Sequence, residues 1–407
     1  MDIQSHIPPL LIGEELVNAL TVLPKYDPEI RKASASARLL ELNKLYDIYI
    51  PSVMTAEIYS KLYLAFVRSI KKKQTIAATK QAYENRKAVR GQPYRGIMGG
   101  SDSFTIIGVS GIGKSSAIHR SVELISQSSF WAERDSNIAP FLTVQTPGDA
   151  SLKVLLMEII RTIDALFDTK YYADAIRSRA TVDMLIGMVS QACLNYVCVL
   201  IIDEAQNVVS SKNGRTLVNA LVQLINNSGI SLCFVGTPEC ANFFESAFQL
   251  ARRSVGLNYQ PLPCDEYFRQ LCKVLFAYQY TAKAAPLTDS LIEWLYLHSG
   301  GITAVLIGLV QSAQEIAIVD GSETLCLDTL SKAYRQRMGM LHRFITPKAD
   351  THISSLRTVI DAVHIDETAD ENSVPLTIAE MISQAKAYGI DCVDYLRQNI
   401  AVAEVAI

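Results

Sequence analysis

The segment FTIIGVSGIGKSSAIHR, residues 104–120, constrains the fold more than any other part of the sequence. A β-prone apolar run leads into a glycine-rich turn that fits the pattern G-x-x-x-x-G-K-[ST], and a helical pattern follows. This order predicts a loop that wraps backbone N–H groups around phosphates at a helix N-terminus. Lys114 is expected to contact the β- and γ-phosphates, and Ser115 to ligate Mg²⁺. The predicted nucleotide contacts are Gly108, Ser110, Gly111, Ile112, Gly113, Lys114, Ser115 and Ser116.

Strand-like and helix-like segments alternate after this loop. The predicted strands are 104–109, 141–145, 197–202, 231–236 and 256–260, and the predicted helices are 114–127, 150–168, 181–195 and 215–226. Such alternation predicts a parallel sheet covered by helices on both faces. From Asp265 to about Arg337 only helical periodicity remains, so the predicted fold class is α/β: a nucleotide-binding domain with a central five-stranded parallel sheet, followed by a small all-helical lid.

These patterns predict five segments along the chain. They are an N-terminal extension (1–60), a basic helical segment (61–100), the nucleotide-binding core (101–262), the helical lid (263–345) and a C-terminal tail (346–407). The tail contains an acidic, poorly patterned stretch at 364–374, which is typical of a tethered module that binds a partner.

The composition is typical of a globular protein. The 407 residues are 49% hydrophobic and 19% charged, enough for two or three packing units. No apolar run approaches the roughly 18 residues of a membrane span, and the start lacks a signal-like pattern. We therefore expect a cytosolic protein with no membrane partner. The eight cysteines include no Cys-x-x-Cys pair, so neither a disulfide framework nor a zinc site is expected.

A pair of carboxylates ends the third predicted strand, in VLIIDEAQN (199–207). Ligands of open α/β sheets bind at the carboxyl ends of the strands. Asp203 is expected to hold a metal ion through water, and Glu204 to orient and deprotonate an attacking water. The alternative is a simple helix cap. Combined with the phosphate-binding loop, the pair favours hydrolysis of the bound nucleotide over binding alone, with Mg²⁺ as cofactor.

Two later motifs add candidate catalytic residues. Thr237, in FVGTPE at the end of the fourth strand, could sense the γ-phosphate and position the water, or it could simply precede Pro238 in a turn. Arg252 and Arg253, in QLARRSVGL, could reach a neighbouring subunit's γ-phosphate, or they could be ordinary surface residues at a helix end.

Positive charge is concentrated before the core, although the net charge is −3. Residues 61–100 hold ten Lys and Arg against one acid, Glu84, with Tyr83 and Tyr94 among them. The segment is either a contact for a polyanion or a solvated helix face. The candidate DNA contacts are Lys71, Lys72, Lys73, Arg86, Lys87 and Arg90, together with Lys153, Lys212 and Arg215, for which plain surface charge is the alternative.

The order of these motifs resembles the AAA+ ATPases of the TnsC and TniB group, which regulate DNA transposition alongside the related MuB. The similarity covers about residues 90–340, and DEAQN with VGTPE at this spacing is its more specific part. The resemblance implies an ATPase that uses ATP and Mg²⁺ and assembles as a ring or helical filament on double-stranded DNA. It also implies a location in the bacterial cytoplasm or nucleoid. The ATPase would link a target-selection protein of the TnsD or TniQ kind to the transposase, and hydrolysis would drive disassembly.

One feature departs from the resemblance. Many AAA+ lids place an arginine after a Gly-Gly turn, where it contacts the γ-phosphate, but here the turn continues as Thr303, Ala304 and Val305. The lid therefore offers no cation at this position, which predicts slow, assembly-stimulated turnover. Two other functions remain open: a signalling ATPase that gates a protein effector without DNA, and a helicase loader.

Overall fold

The computed structural model of the chain describes residues 7–99, 102–127, 138–146, 151–209, 214–240 and 254–338, and for 208–209, 214–219 and 254–255 it describes the backbone alone. The described residues lie within one unit, Met1–Pro347. The predicted tail at 346–407 falls outside these ranges, as do Lys212, Arg252 and Arg253.

Five parallel strands form one sheet. In chain order they are β1 (Ser103–Gly108), β2 (Ala139–Gln145), β3 (Val197–Asp203), β4 (Ser231–Gly236) and β5 (Ser254–Tyr259). Their order across the sheet is β2-β3-β4-β1-β5, and every neighbouring pair is parallel. The predicted α/β class is confirmed. Because β3, β4 and β1 are neighbours, the acidic pair, Thr237 and the phosphate-binding loop follow adjacent strand ends.

Helices cover both faces of the sheet because the side chains of a strand point alternately to opposite faces. In β3, Ile201 packs into one core and Ile202 into the other. The helices before and within the sheet domain are α1 (Gly13–Leu20), α2 (Ala35–Glu41), α3 (Val53–Lys73), α4 (Ile76–Val89), α5 (Lys114–Ser126), α6 (Leu152–Phe167), α7 (Tyr171–Arg177), α8 (Val182–Tyr196), α9 (Gln206–Val209) and α10 (Gly214–Ser228). Helices α1, α3 and α5 contribute to one core, and α6, α8 and α10 to the other.

The region after β5 is helical, as predicted. It contains α11 (Glu266–Ala277), α12 (Asp289–Ser299), α13 (Thr303–Val319), α14 (Leu327–Ala333) and a π-helical turn, Tyr334–Met338. Within the described ranges, no single helix is long and apolar enough to cross a membrane.

The N-terminal extension contributes to the lid as well as to the sheet domain. Leu42, Leu45 and Ile48 are buried in the hydrophobic core of the lid. Arg38, which is 5% exposed, forms a bidentate ion pair with Glu323, with distances of 2.6 and 2.7 Å between the guanidinium nitrogens and the carboxylate oxygens. The predicted boundary between residues 60 and 61 falls inside α3, so the extension and the basic segment share one continuous helix.

Candidate nucleotide-binding site

The phosphate-binding loop connects β1 to the N-terminus of α5. Gly111 and Gly113 have φ of +83° and +98°, a backbone conformation that side chains with a Cβ rarely adopt. Gly113 is the N-cap of α5, and no side chain caps the first turn. The free N–H groups of this turn and the helix dipole together suit a negatively charged ligand.

Lys114 folds back over this loop. Its Nζ donates to the carbonyl oxygens of Gly108, at 2.7 Å, and Val109, at 3.0 Å. Desolvation lowers the pKa of Lys114, and the charges of Asp203 and Glu204 partly oppose that shift. The ammonium is therefore held at the loop by acceptors that a phosphate oxygen could replace.

Ser115 and Asp203 meet beside the loop. The Ser115 hydroxyl donates to the Asp203 carboxylate at 3.3 Å, although the two residues are 88 positions apart in sequence. Mg²⁺ prefers hard oxygen ligands and is usually held by one or two protein groups, waters and phosphate oxygens. This hydroxyl and carboxylate fit such a site.

Glu204 and Thr237 lie at the neighbouring strand ends. Glu204 has φ of +55°, uncommon for a residue with a side chain, and its backbone N–H donates to Asp203 at 2.9 Å. The Thr237 hydroxyl bonds the carboxylate of Glu239, and a short 3₁₀ turn, Pro238–Cys240, follows. Thr237 thus lies in a local turn and also lines the cavity described next, so both interpretations of this residue fit the geometry.

A cavity of about 200 Å³, here called the phosphate cavity, brings these groups together. Its walls are Ser110, Gly111, Gly113, Lys114, Ser115, Ser116, Asp203, Glu204, Gly236, Thr237 and Ala304. Six of the eight predicted nucleotide contacts line it. Of the other two, Gly108 accepts the Lys114 hydrogen bond, and Ile112 lines the adjoining cavity.

The adjoining cavity, of about 390 Å³ and here called the base cavity, shares Gly113, Ser115 and Ser116 with the first. Its apolar walls include Ile48, Ile50 and Met54 from the N-terminal extension, Ile112 from the loop, Leu262 from the segment between β5 and the lid, and Ile307 from the lid. A flat apolar ring system with a few polar atoms suits such a pocket. The two cavities together provide room for a nucleoside and its phosphates.

Sequence reasoning missed the contribution of residues 46–55 to the base cavity. Tyr49 is central to this wall: its hydroxyl bonds Thr55 at 2.9 Å, and the Arg120 guanidinium lies 5.9 Å from its ring centre. Burial raises the pKa of Tyr49 to about 12. Tyr267, from the lid, donates to the carbonyl of Ile50 at 2.8 Å. The only local sequence signal is the Ser52 capping box, which indicates a helix start and nothing about a ligand.

The first turn of α13 contacts the phosphate-binding loop directly. The backbone N–H of Ala304 donates to the carbonyl of Gly111 at 2.9 Å. A Cβ at Gly111 would lie 3.0 Å from Ile302 and 3.3 Å from Ala304, so this approach needs the glycine. Ala304 presents a methyl group to the phosphate cavity, and no Lys or Arg occurs from Ile302 to Ser331.

The basic segment is divided between inward and outward side chains. On α4, Gln81, Asn85 and Ala88 are buried, while Lys80 and Arg86 are exposed, as is Arg90 at the C-cap of the helix. Lys87 pairs with Glu84 at 2.8 Å and lies 4.7 Å from the Tyr83 ring centre. Lys71 and Lys153 are also exposed. Arg215 lies on α10, where only the backbone is described.

Lys73, one of the predicted DNA contacts, is engaged within the fold. Its Nζ donates to the carbonyl oxygens of Cys193 and Leu194, both at 2.6 Å, in the last turn of α8. The Cys193 carbonyl also accepts the backbone N–H of Val197, so the ammonium is an additional donor at the end of the helix. A cation at this position complements the helix dipole. Desolvation lowers the pKa of Lys73 to about 8. Lys72 reaches the carbonyl of Gly99 at 3.5 Å, so it too is partly engaged within the fold.

Comparisons with known proteins give one family match and several similar solved structures. Residues 98–244 match the family described as AAA domain. No curated protein sequence matches the chain. Similar solved structures include the RuvB Holliday junction branch migration motor of Thermotoga maritima, at 14% identity and a TM-score of 0.36, with 81% of this chain and 88% of that chain covered.

Two further similar solved structures come from Aeropyrum pernix. The ORC1 protein in complex with DNA shows 13% identity and a TM-score of 0.44, with 81% of this chain and 78% of that chain covered. The ORC2 protein in its ADP form shows 16% identity and a TM-score of 0.41, with 79% of this chain and 83% of that chain covered. The family match, the strand order and the loop geometry identify the fold as that of an AAA+ P-loop NTPase.

Proposed function

We propose that this protein is a slow ATPase that assembles on double-stranded DNA in its ATP state and regulates transposition. The observation that carries the ATPase part is the phosphate cavity, where Lys114, Ser115, Asp203, Glu204 and Thr237 line one space at three adjacent strand ends. Nucleotide binding without hydrolysis would need only the lysine and the loop. The carboxylate of Glu204 in the same wall adds a group that can accept a proton from water.

Each residue has a separate part in the reaction. Lys114 would exchange its two loop carbonyls for oxygens of the β- and γ-phosphates. Glu204 would orient a water for in-line attack and take its proton. Thr237 would turn its hydroxyl from Glu239 toward the γ-phosphate or the water, because a hydroxyl both donates and accepts.

Ser115 and Asp203 are the residues that would hold Mg²⁺, the serine directly and the aspartate through water. The ion, when bound, would neutralise charge that develops on the phosphate oxygens. The base cavity favours ATP over a ligand that is bound through its phosphates alone. Its apolar wall, built by the extension, the loop and the lid, can contact the base of the nucleotide.

The proposed turnover is slow and stimulated by assembly. Ala304 provides no cation where the lid meets the phosphate cavity, so the charge of the transition state lacks one stabilising group from within the chain. Arg252 or Arg253 would supply a guanidinium to the site of the next subunit in a ring or filament. Hydrolysis would then depend on stacked protomers and would end the assembled state.

The DNA part of the proposal rests on the resemblance to the TnsC and TniB group and on the exposed cations Lys71, Arg86 and Arg90. Non-specific contacts of Lys and Arg with phosphates suit a protein that tracks DNA without reading its sequence. Lys153, Lys212 and Arg215 are further candidates. In this role the protein would bind a target-selection protein of the TnsD or TniQ kind and would also bind transposase subunits.

The salt dependence of DNA binding tests this part. We expect the triple variant Lys71→Gln/Arg86→Gln/Arg90→Gln to bind every duplex sequence more weakly in the presence of an ATP analogue. The slope of log K against log salt should fall in magnitude by about 0.9 for each DNA phosphate that the variant no longer neutralises. ATP affinity without DNA should change less than about twofold, because none of the three lines either cavity.

A charge-matched triple variant provides the control. Lys32→Gln/Arg177→Gln/Lys273→Gln removes the same net charge from side chains that are 76%, 80% and 62% exposed. Its salt slope should remain that of the wild-type protein. An unchanged slope in the first triple would refute DNA contact by these residues, and no ATP-dependent binding to duplex DNA at all would favour a signalling ATPase. Preference for single strands would favour a helicase loader.

A further inference from the structure

Gln206 connects two strand ends that the proposed reaction uses. Its amide nitrogen donates to the carboxylate of Glu204. Its amide oxygen accepts the backbone N–H of Thr237 at 3.4 Å and the thiol of Cys240 at 4.0 Å. One side chain at the start of α9 therefore bonds the end of β3 and the turn after β4.

The chemistry of the partners fixes the orientation of this amide. A backbone N–H can only donate, and an ionised carboxylate can only accept. If the amide were turned over, its NH₂ would face the Thr237 N–H and its oxygen would face the Glu204 carboxylate. Both contacts would then be repulsive, so the observed orientation satisfies both ends at once.

Gly236 makes room for this connection. A Cβ at that position would lie 2.7 Å from the Cys240 sulfur and 3.1 Å from the Gln206 amide oxygen. A side chain there would collide first with the Cys240 sulfur and would also crowd the Gln206 amide oxygen. The close approach of Cys240 and Gln206 together accounts for the glycine of the VGTPE motif.

The backbone at Glu204 increases the need for such a connection. Its φ of +55° is a sparsely populated conformation, and the residue is exposed to the cavity. An exposed carboxylate on a flexible side chain loses rotamer freedom only when a partner holds it. Within the described part of the chain, the Gln206 amide is the side chain that holds this carboxylate.

We infer that Gln206 is a positioning residue, which sets the direction of the Glu204 carboxylate and couples it to the position of Thr237. This inference rests on the proposed function, in which Glu204 activates water and Thr237 contacts the γ-phosphate. A shift of the Thr237 backbone on phosphate binding would pull on the amide oxygen and reorient the amide nitrogen. Gln206 would thereby make the base responsive to the γ-phosphate without touching the nucleotide, because it lines neither cavity.

The variant Gln206→Met tests the inference, since methionine has a similar length and neither hydrogen bond. We expect kcat to fall by about 10- to 100-fold, because a misplaced catalytic group costs on that order. The dissociation constant of ATP should change less than about twofold. The matched control is Asn207→Ala, which removes an amide from the same turn that bonds the Thr146 carbonyl at 2.8 Å, and its kcat should stay within about threefold of wild type.

A double-mutant cycle separates positioning from mere structural support. In a Glu204→Gln background, Gln206→Met should cause no further loss of kcat, because no base remains to be positioned. A further loss equal to that in the wild-type background would overturn the inference. Should Gln206→Met fail to fold, Gln206→Glu tests the same point, since it keeps an acceptor for Thr237 and removes the donor to Glu204; full kcat in that variant would also overturn it.

The same measurements separate this inference from the proposed function. If Glu204→Gln alone keeps wild-type turnover, the assignment of Glu204 as the base fails, whatever Gln206 does. If Glu204→Gln is inactive and Gln206→Met retains full kcat, only the positioning role fails.

Discussion

Replacing Lys114 by alanine should weaken ATP binding at least about 100-fold and abolish nucleotide-dependent assembly on DNA. The lysine supplies the loop's ammonium, and a hydrogen bond to a charged group contributes about 1.5 to 3 kcal/mol, here to two phosphates at once. The desolvated position of Lys114 adds to the effect, since water cannot replace the missing charge efficiently. Titration of a fluorescent ATP analogue measures the change.

The control for this variant is Lys273→Ala, which removes an ammonium whose side chain is 62% exposed and lines neither cavity. Its ATP affinity should equal that of the wild-type protein. Thermal unfolding of Lys114→Ala should show an intact fold, because β1 and the remainder of α5 keep their packing. Normal ATP affinity in Lys114→Ala would disprove the assignment of the phosphate-binding loop.

Glu204→Gln should reduce kcat by about 10²- to 10⁴-fold while ATP affinity stays nearly constant. The amide keeps the shape of the carboxylate and loses the ability to take a proton from water. Assemblies of this variant should therefore form on DNA with ATP and persist, since hydrolysis no longer ends the ATP state. Steady-state phosphate release and the lifetime of the DNA complex measure the two effects.

Glu239→Gln is the matched control, because it makes the same chemical change at the same edge of the sheet. Glu239 bonds the Thr237 hydroxyl and does not line the phosphate cavity, so kcat should stay within about threefold of wild type. If the two variants lose activity equally, the base is not Glu204 and the loss reflects a general disturbance of this edge.

Local sequence patterns are sufficient to predict the sheet and the phosphate cavity. Strand residues alternate between two cores, and apolar residues at three- and four-residue spacing form helices, so the patterns predict β4 at its observed bounds and α5 to within one residue. Apart from Ala304, which lies in the lid, the residues of the phosphate cavity lie at or shortly after the ends of β1, β3 and β4. Because parallel strands end at one edge, their proximity follows from the topology alone.

Contacts between distant segments cannot be predicted in this way. Tyr49 and Ile50 reach the base cavity because the extension packs on the lid, a contact between residues more than 200 positions apart. Lys73 lies in the same run of three lysines as Lys71, and the sequence does not distinguish the two. Lys73 nevertheless points inward, because the last turn of α8 lies beside it in the fold. The role of Gln206 is equally hidden, since DEAQN gives no sign that its glutamine meets Thr237.

The central claim is that ATP controls assembly on DNA, and electron microscopy of the purified protein tests it most directly. The protein should be imaged with duplex DNA, with and without a non-hydrolysable ATP analogue. We predict rings or helical filaments that need both duplex and analogue and that are absent from Lys114→Ala samples. Ordered assemblies of the same kind in the absence of nucleotide, or none on duplex DNA under any nucleotide condition, would contradict the account.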